Sequence, residues 1–352
     1  MSTPSLPLWG ITMGDAAGIG PEIIACAYGL HPELMAGTVV YGDVACMRRG
    51  AQAAVAQTGL ALPVAELAAP PEALQVPAHC IPVWQAAPAI APPAWGVVSA
   101  GAGAMAGQCV LAAARDCLQG TLLGMVTAPL HKEALSAAGS PFDAFPGHTE
   151  LLQDVAARHA SVPVADMPVR MMLANDELRT VLVSIHVSLR DAIDAVTHAN
   201  VLQTVLITHQ ALSRMLGRPP RIGVAGLNPH AGEGGLFGRE EIEVILPALE
   251  DARRAGCLVS GPFAPDTVFM RGRQTSGHLA EFDVVVAMYH DQGLIPVKYL
   301  GIEKGVNVTL GLPLVRTSPD HGTAFDIAGT GRASAESLVA AVQLCKSLVL
   351  PG

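Results

Sequence analysis

Residues 284–298 read Val-Val-Val-Ala-Met-Tyr-His-Asp-Gln-Gly-Leu-Ile-Pro-Val-Lys. The apolar run has the composition of a strand buried on both faces, as in a parallel α/β sheet. It ends abruptly in Tyr289, His290, Asp291, Gln292 and Gly293. In such sheets ligands bind at the carboxyl ends of the strands. His290 is therefore expected at the rim of a site, with Asp291 beside it and Lys298 a few residues on.

The surrounding chain suits this α/β class. It has 352 residues, enough for two lobes and a large core. It is 51% hydrophobic and 14% charged, which argues against disorder. No apolar run reaches the roughly 18 residues that span a bilayer. The start, Met-Ser-Thr-Pro-Ser-Leu-Pro, lacks the basic and apolar regions of a signal peptide. A soluble cytoplasmic protein is expected. The net charge of -9 argues against a general nucleic-acid binder. Seven scattered cysteines, an odd number with no Cys-x-x-Cys, argue against a disulfide framework or a thiolate zinc site.

Several other segments end in polar loops. A strand at 8–13 leads into a glycine-rich turn, 14–22, and then a helix with Pro21 in its first turn. Such a turn can hold an anion, although its spacing is not Gly-x-Gly-x-x-Gly. A second strand is expected at 38–42, and loops with short strands over 60–95. Ser99 is placed to cap a helix over 99–118. A strand at 122–127 leads to His131 and Lys132. Thr149 is read as the N-cap of the next helix, with His148 just before it. Strands at 169–174 and 179–185 form a hairpin, with His186 at its end. A helix over 200–216 and a strand over 221–225 precede the glycine-rich loop 226–238, which carries His230. The turn 261–267 ends near Asp266. A strand over 305–311 carries Asn307, and the stretch 312–316 ends at Arg316. A glycine-bounded loop, 320–331, precedes a last helix over 335–350.

Three histidines, His186, His230 and His290, thus each sit just past a strand. Imidazole suits zinc and other first-row divalent ions, and three protein ligands leave positions open for substrate. The alternative is three separate core or capping histidines. Lys298, Asn307 and Arg316 suit a phosphate or carboxylate if they share a pocket; surface solvation is the alternative for each.

The blocks Gly14-Asp15, Gly18-Ile19-Gly20-Pro21-Glu22, Gly147-His148-Thr149-Glu150, Asn228-Pro229-His230-Ala231-Gly232-Glu233, Met288-Tyr289-His290-Asp291-Gln292 and Gly305-Val306-Asn307 through Arg316-Thr317-Ser318-Pro319-Asp320-His321-Gly322-Thr323-Ala324 occur in one order over nearly the whole chain. In this they resemble the 4-hydroxythreonine-4-phosphate dehydrogenase family of pyridoxine biosynthesis. Ala16 stands where that family usually has proline, and 60–95 looks longer than usual. The resemblance implies a two-lobe α/β/α sandwich of the isopropylmalate dehydrogenase-like type with a cleft between the lobes. It places the first lobe at 1–150 plus 291–352 and a second, dimer-forming lobe at 151–290. It implies a divalent metal (zinc, alternatively magnesium, manganese or cobalt) on His186, His230 and His290. It implies substrate contacts from His148, Thr149, Lys298, Asn307 and Arg316, and a homodimer whose active site takes residues from both subunits.

The closing loop resembles the adenine-side loop of isopropylmalate dehydrogenases, which implies NAD contacts from His321, Gly322, Thr323 and Asp326. The Asp326 carboxylate should repel a 2′-phosphate, which favours NAD over NADP. The implied reaction is oxidation and decarboxylation of 4-phosphooxy-L-threonine to 3-amino-2-oxopropyl phosphate, on the way to pyridoxal 5′-phosphate. Asp266, Asp291 and Lys132 are the candidate proton acceptors. A dehydrogenase of 4-phospho-threonate or 4-phospho-erythronate would share most of these motifs. An acyl-phosphate or phosphoryl transferase on a similar fold would need no closing loop, and intact His186, His230, His290 and Lys298 argue against a non-catalytic metal- or phosphate-binding module.

Overall fold

The computed structural model describes residues 7–349. Twelve strands are found among them: β1 Trp9–Thr12, β2 Thr38–Gly42, β3 Val64–Leu67, β4 Ile81–Gln85, β5 Gly124–Thr127, β6 Arg170–Ala174, β7 Arg179–Leu182, β8 Arg221–Ala225, β9 Leu258–Phe263, β10 Val284–Ala287, β11 Val306–Leu310 and β12 Arg316–Pro319. The described chain forms two α/β units, 7–168 with 312–349, and 169–311. The expected division at 150/151 and 290/291 cuts through two helices, His148–Ala160 and His290–Tyr299. Each helix stays whole because it packs within one unit, the first on helix Ala100–Leu118 and the second on β7 and β10.

In the first unit the strand order is β3-β4-β2-β1-β5-β12, with every neighbouring pair parallel. All residues of β1, β2 and β5 are buried, which is why they read as unbroken apolar runs. The excursion 60–95 supplies β3 and β4 and so extends the sheet. From β1 the chain moves to β2 on one side and later to β5 on the other. The carboxyl ends of β1 and β5 therefore form a switch point, where α/β sheets bind ligands. Gly14 lets the two strand-end loops close there. Its φ is +72°, and a Cβ would lie 2.3 Å from the Pro129 carbonyl oxygen.

Ser99 caps its helix as expected, its Oγ accepting from the Ala102 N–H at 3.4 Å. Thr149 does not. The next helix begins at His148 with Gly147 as its N-cap, so Thr149 lies inside the first turn; glycine is itself an accepted cap residue. Arg316, which ends the stretch 312–316, opens β12. Pro313 cannot donate to a ladder, and pairing starts only beyond it.

In the second unit the order is β11-β6-β7-β10-β8-β9. The β11–β6 and β6–β7 pairs are antiparallel and the other three parallel. The expected hairpin is β6–β7, and the Asn175 side-chain oxygen shapes its turn by accepting from the Glu177 and Leu178 N–H groups, each at 2.9 Å. Strand β10 lies between β7 and β8 with all four residues buried. Asp283 fixes its start by accepting from the Arg221 N–H at 2.7 Å and from both terminal nitrogens of Arg218. Burial raises the Asp283 pKa, but the bonds from the two arginines outweigh it and hold the carboxyl well below the usual range.

Helix His290–Tyr299 follows β10 at once. The sequence reads as a loop there because Gly293 and Pro296 are poor helix residues. Gly293 is explained by packing, since a Cβ would lie 2.4 Å from Leu182 Cδ2 and 2.9 Å from Ala287 Cβ. Gly293→Val should therefore overpack this contact and destabilise by about 1–3 kcal/mol, a fall of several degrees in the unfolding midpoint. An unchanged midpoint would contradict this seating of the helix.

Among the described residues no helix is long and apolar enough to cross a membrane. All seven cysteines are free. Burial pushes the Cys26 thiol up to about 11 and the Cys46 thiol to about 12, which suits packing and not reactivity.

Candidate active site

In the second unit, parallel register brings three loops to one edge. Val285 of β10 lies opposite Thr180 of β7 and Gly223 of β8, so the carboxyl ends of all three strands are neighbours. His186, His290 and His230 follow these strands in turn. The rings of His186 and His290 are 5.5 Å apart, tilted by 47°. His290 Nδ1 bonds to Asp291 Oδ1 at 2.7 Å. This leaves Nε2 free to face a ligand, the usual arrangement for a metal-binding histidine backed by a carboxylate.

His230 sits in an unusual turn. Its φ is +53°, that of Ala231 +53° and that of Glu233 +44°, with Gly232 and Gly234 also positive. Left-handed backbone costs a non-glycine residue about 1–2 kcal/mol. Strain of this kind collects at functional sites when the surroundings hold it. The holding group is Glu241, which is 3% exposed. It accepts from the Leu227 and Asn228 N–H groups at 2.7 Å each, and from Asn228 Nδ2 at 2.9 Å.

His230, Asp266, Tyr289, Asp291 and Gln292 line a cavity of about 710 Å³. Among the described residues, no three His, Cys, Asp or Glu side chains of the single chain are grouped as a metal site. The His186–His290 pair is what one chain assembles. Lys298 lies in the last turn of the helix that His290 begins, roughly 12 Å further along its axis at 1.5 Å per residue. Asn307 lies on β11 opposite Leu173.

The first unit holds a separate cationic cluster. Arg316 is 4% exposed, with Nε and Nη2 donating to Thr127 Oγ1 at 3.0 and 2.7 Å. Burial lowers its pKa to about 10, against the opposing pull of Glu150. His148 is half-buried, with its Nε2 edge enclosed and lacking a hydrogen-bond partner. Burial, then the charge of Arg316, push its pKa well below the ordinary value, so the ring is neutral. Thr149 follows in the same first turn. A Cβ on Gly147 would lie 3.9 Å from Lys132 Cε and 3.6 Å from Glu150 Oε2, which puts Lys132 at this helix start too. Two cations beside the N-terminus of a 13-residue helix are equipped to take an anion.

At the switch point of the same unit, Asp15 follows β1 and His131 follows β5. Asp15 is fully buried; Oδ1 accepts from the Ala17 N–H at 2.8 Å, while Oδ2 has no partner. Burial raises its pKa. His131 Nδ1 is also buried without a partner, and its ring stacks on Phe325 at 4.5 Å. Phe325 belongs to the closing loop, which docks on the glycine turn. The Ile19 N–H donates to the Thr323 carbonyl at 3.0 Å, and the buried Glu22 carboxylate accepts from the N–H groups of Gly329 and Ala333 at 2.9 and 3.0 Å. Thr323 is buried, whereas Gly322 and Asp326 are exposed. His321 Nδ1 bonds to the Gly322 carbonyl at 3.0 Å, and its Nε2 has no partner.

The N–H groups of Ala17, Gly18 and Ile19 all bond within the chain. These three groups are therefore not open to an anion. The end of the 60–95 excursion straps the turn down. Arg49 Nη2 donates to the Ala16 carbonyl at 2.7 Å, its guanidinium lies 3.7 Å over the Trp95 ring, and the Gly96 N–H donates to the Ala17 carbonyl at 2.9 Å.

Sequence reasoning gave no role to Glu241, Gln292, Asp15, Phe325 or the Arg49–Trp95 pair. For Asp15 the available signal was its place just past a strand. For Glu241 there was none, because its bonds exist only once the loop has folded back.

Histidine-bearing strand ends in one unit, and a cationic helix start with a docked closing loop in the other, are the features expected of an α/β dehydrogenase. Comparison with known proteins bears out that class. A 4-hydroxythreonine-4-phosphate dehydrogenase of Beijerinckia indica is 49% identical over 343 residues, 97% of this chain and 95% of that protein. A D-threonate 4-phosphate dehydrogenase of Salmonella typhimurium is 44% identical over 340 residues, 96% of this chain and 98% of that protein. The crystal structure of a 4-hydroxythreonine-4-phosphate dehydrogenase from Klebsiella pneumoniae superposes with a TM-score of 0.83 at 38% identity, covering 98% of this chain and all of that one. The chain belongs to the PdxA family, described as pyridoxal phosphate biosynthetic protein PdxA, which matches residues 34–345. As a dehydrogenase it draws on a nicotinamide cofactor.

Proposed function

We propose that the chain is a cytoplasmic, NAD-dependent 4-hydroxythreonine-4-phosphate dehydrogenase. It oxidises 4-phosphooxy-L-threonine, and the resulting β-keto acid loses carbon dioxide to give 3-amino-2-oxopropyl phosphate for pyridoxal 5′-phosphate synthesis. The observation that carries this reading is full-length similarity to enzymes of that name, with all the motif histidines and cations in place. The similar identity to a D-threonate 4-phosphate dehydrogenase supports a second reading, in which the substrate is the sugar acid that lacks the amino group.

The donor chemistry of the second unit fits a divalent ion. Two imidazoles stand 5.5 Å apart, one of them backed by a carboxylate, and a third histidine lines the adjoining cavity. His186, His230 and His290 would hold zinc, or magnesium, manganese or cobalt in its place. When bound, such an ion lowers the pKa of an alcohol and polarises a carbonyl. The set is completed in a homodimer, formed through the second unit, whose active site takes residues from both subunits. Exposed Met270, Ile295 and Tyr299, at 68%, 62% and 90%, flank the same cavity and suit burial against another copy.

Arg316, His148 and Thr149 bind an anionic group of the substrate; Lys298 and Asn307, in the second unit, are its further substrate-binding residues. Asp291 is engaged with His290 Nδ1 and so suits orienting that ring, which leaves the alcohol proton to Asp266 or Lys132. The unpartnered Asp15 Oδ2, His131 Nδ1 and His321 Nε2 suit a polar cofactor at the closing loop. There Asp326 accepts from ribose hydroxyls and repels a 2′-phosphate, which selects NAD over NADP.

NADH formation with 4-phosphooxy-L-threonine should exceed that with D-threonate 4-phosphate at least tenfold, fall with NADP and stop with chelator. A reversed substrate order selects the second reading. Turnover that survives chelation rejects the metal.

A further inference from the structure

The closing loop, 320–331, holds to itself through turns, the Ile327 N–H donating to the Ala324 carbonyl at 3.1 Å and the Thr330 N–H to the Ile327 carbonyl at 3.2 Å. Ala324 is left-handed, with φ +41°, as are Gly329 and Gly331 at +75° and +72°. Backbone of this kind keeps its shape when its surroundings hold it. The Glu22 and Ile19 bonds supply part of that hold. The strap at 93–96 supplies more. The half-buried Trp95 indole lies directly on the Gly329 backbone, where a Cβ would stand 2.3 Å from Nε1 and 2.5 Å from Cδ1. Gly96, the next residue, approaches the Phe325 carbonyl oxygen, which would lie 2.6 Å from a Cβ. Only glycine lets the backbone come this close at both places. Arg49, on helix Val44–Thr58, fixes the strap in turn. Its guanidinium lies over the Trp95 ring, Nη1 donates to the Pro93 carbonyl, and Nη2 donates to the Ala16 carbonyl. One side chain thus joins the helix, the strap and the glycine turn, and the strap joins all three to the closing loop.

We infer that Trp95, held by Arg49, is a positioning residue for the dinucleotide: its ring keeps the closing loop in the shape that meets the cofactor, and so sets cofactor affinity. The inference rests on the reading of the closing loop as the cofactor site given above. The physical argument is one of pre-organisation. A ligand that binds only the ordered loop shows an apparent dissociation constant that rises as the ordered fraction falls. Without the ring, the Gly329 face is uncovered and Arg49 has nothing to lie on. The loop then keeps its glycine-turn and Glu22 bonds but loses the contact that closes its outer side. If about one molecule in ten then holds the ordered shape, affinity falls about tenfold. The anion-binding helix start at His148 shares none of these contacts, so the effect is specific to the cofactor.

The test uses the full-length protein and two readouts: NADH affinity by calorimetry, and amide hydrogen exchange of the cofactor-free chain. Wild type, Trp95→Ala, Arg49→Gln and Asp326→Ala are compared, with inorganic phosphate binding as the control. Trp95→Ala is expected to weaken NADH about tenfold and to speed exchange across 321–333, with phosphate binding as in wild type. Arg49→Gln leaves the ring in place and removes the guanidinium over it. A loss of about threefold is expected there, which keeps the test valid should Trp95→Ala fold poorly. Wild-type NADH affinity and exchange in both variants, alongside a loss in Asp326→Ala, overturn the inference and leave the cofactor reading standing. Wild-type NADH affinity in all three variants overturns that reading of the closing loop and the inference with it. An equal loss of phosphate and NADH marks general damage to the unit and overturns the inference as well.

Discussion

His290→Ala is expected to lower kcat/KM at least a thousand-fold while leaving the fold intact. His290 is half-buried and its hydrogen-bond partner Asp291 is exposed, so the alanine opens no core cavity and orphans no buried group. Under the proposed function it removes one ligand of a three-histidine set, and with it the Lewis acidity that would serve both the oxidation and the loss of carbon dioxide. Such a contribution amounts to several kcal/mol of barrier, and each 1.36 kcal/mol is tenfold in rate. The measurement is NADH formation with saturating metal, together with a thermal melt. A midpoint within a few degrees of wild type and a collapsed rate are expected. A rate within tenfold of wild type would remove His290 from the metal set.

The second large effect is expected at Arg316. Its guanidinium is buried, still charged at neutral pH with a pKa of about 10, and oriented by Thr127. Truncating one partner of a buried charged contact costs roughly 2–5 kcal/mol, so Arg316→Ala should lower kcat/KM a hundred-fold or more. The loss should fall mainly on KM, because under the proposed function the residue grips an anionic group instead of touching the reacting atoms. Inorganic phosphate should lose its competitive inhibition in step. Arg316→Lys should recover part of the loss, but not all, since an ammonium cannot reproduce the planar fork. An unchanged KM in Arg316→Ala would place the anion elsewhere.

The same variant has a signature in pH. Burial and the Arg316 charge both depress the His148 pKa. A histidine depressed in the folded state contributes stability above its unfolded value, near 6.5, and loses it as pH falls below that value toward the folded one. In Arg316→Ala one of the two depressing causes is gone. The His148 pKa should rise toward its ordinary value in an NMR titration, and acid-induced loss of stability should be shallower.

Much of this site is legible in the chain, for identifiable reasons. Strands buried on both faces must be apolar throughout, so β1, β2, β8 and β10 announce themselves, and a polar residue that ends such a run marks the rim of a site. His186, His230 and His290 were singled out on that ground. Ser99 was found because a cap needs a side-chain acceptor at one place only. Thr149 misled because its neighbour Gly147 caps equally well. Helix His290–Tyr299 was hidden because Gly293, a poor helix former, is demanded by Leu182 and Ala287, which lie far away in sequence.

By itself, then, the sequence determined the α/β class, the order of the strands along the chain, and the chemical kinds of group at their ends. These follow from local rules of burial and periodicity. Tertiary structure alone decided which ends are neighbours. Parallel register set β10 between β7 and β8 and so brought His186 beside His290. It also brought Glu22 to the closing loop, Thr127 to Arg316, and Gln292 to Gly226. These are bonds between residues 66 to 311 positions apart. No local rule reaches that far, because such a bond depends on strand order and packing, which only the assembled sheet defines.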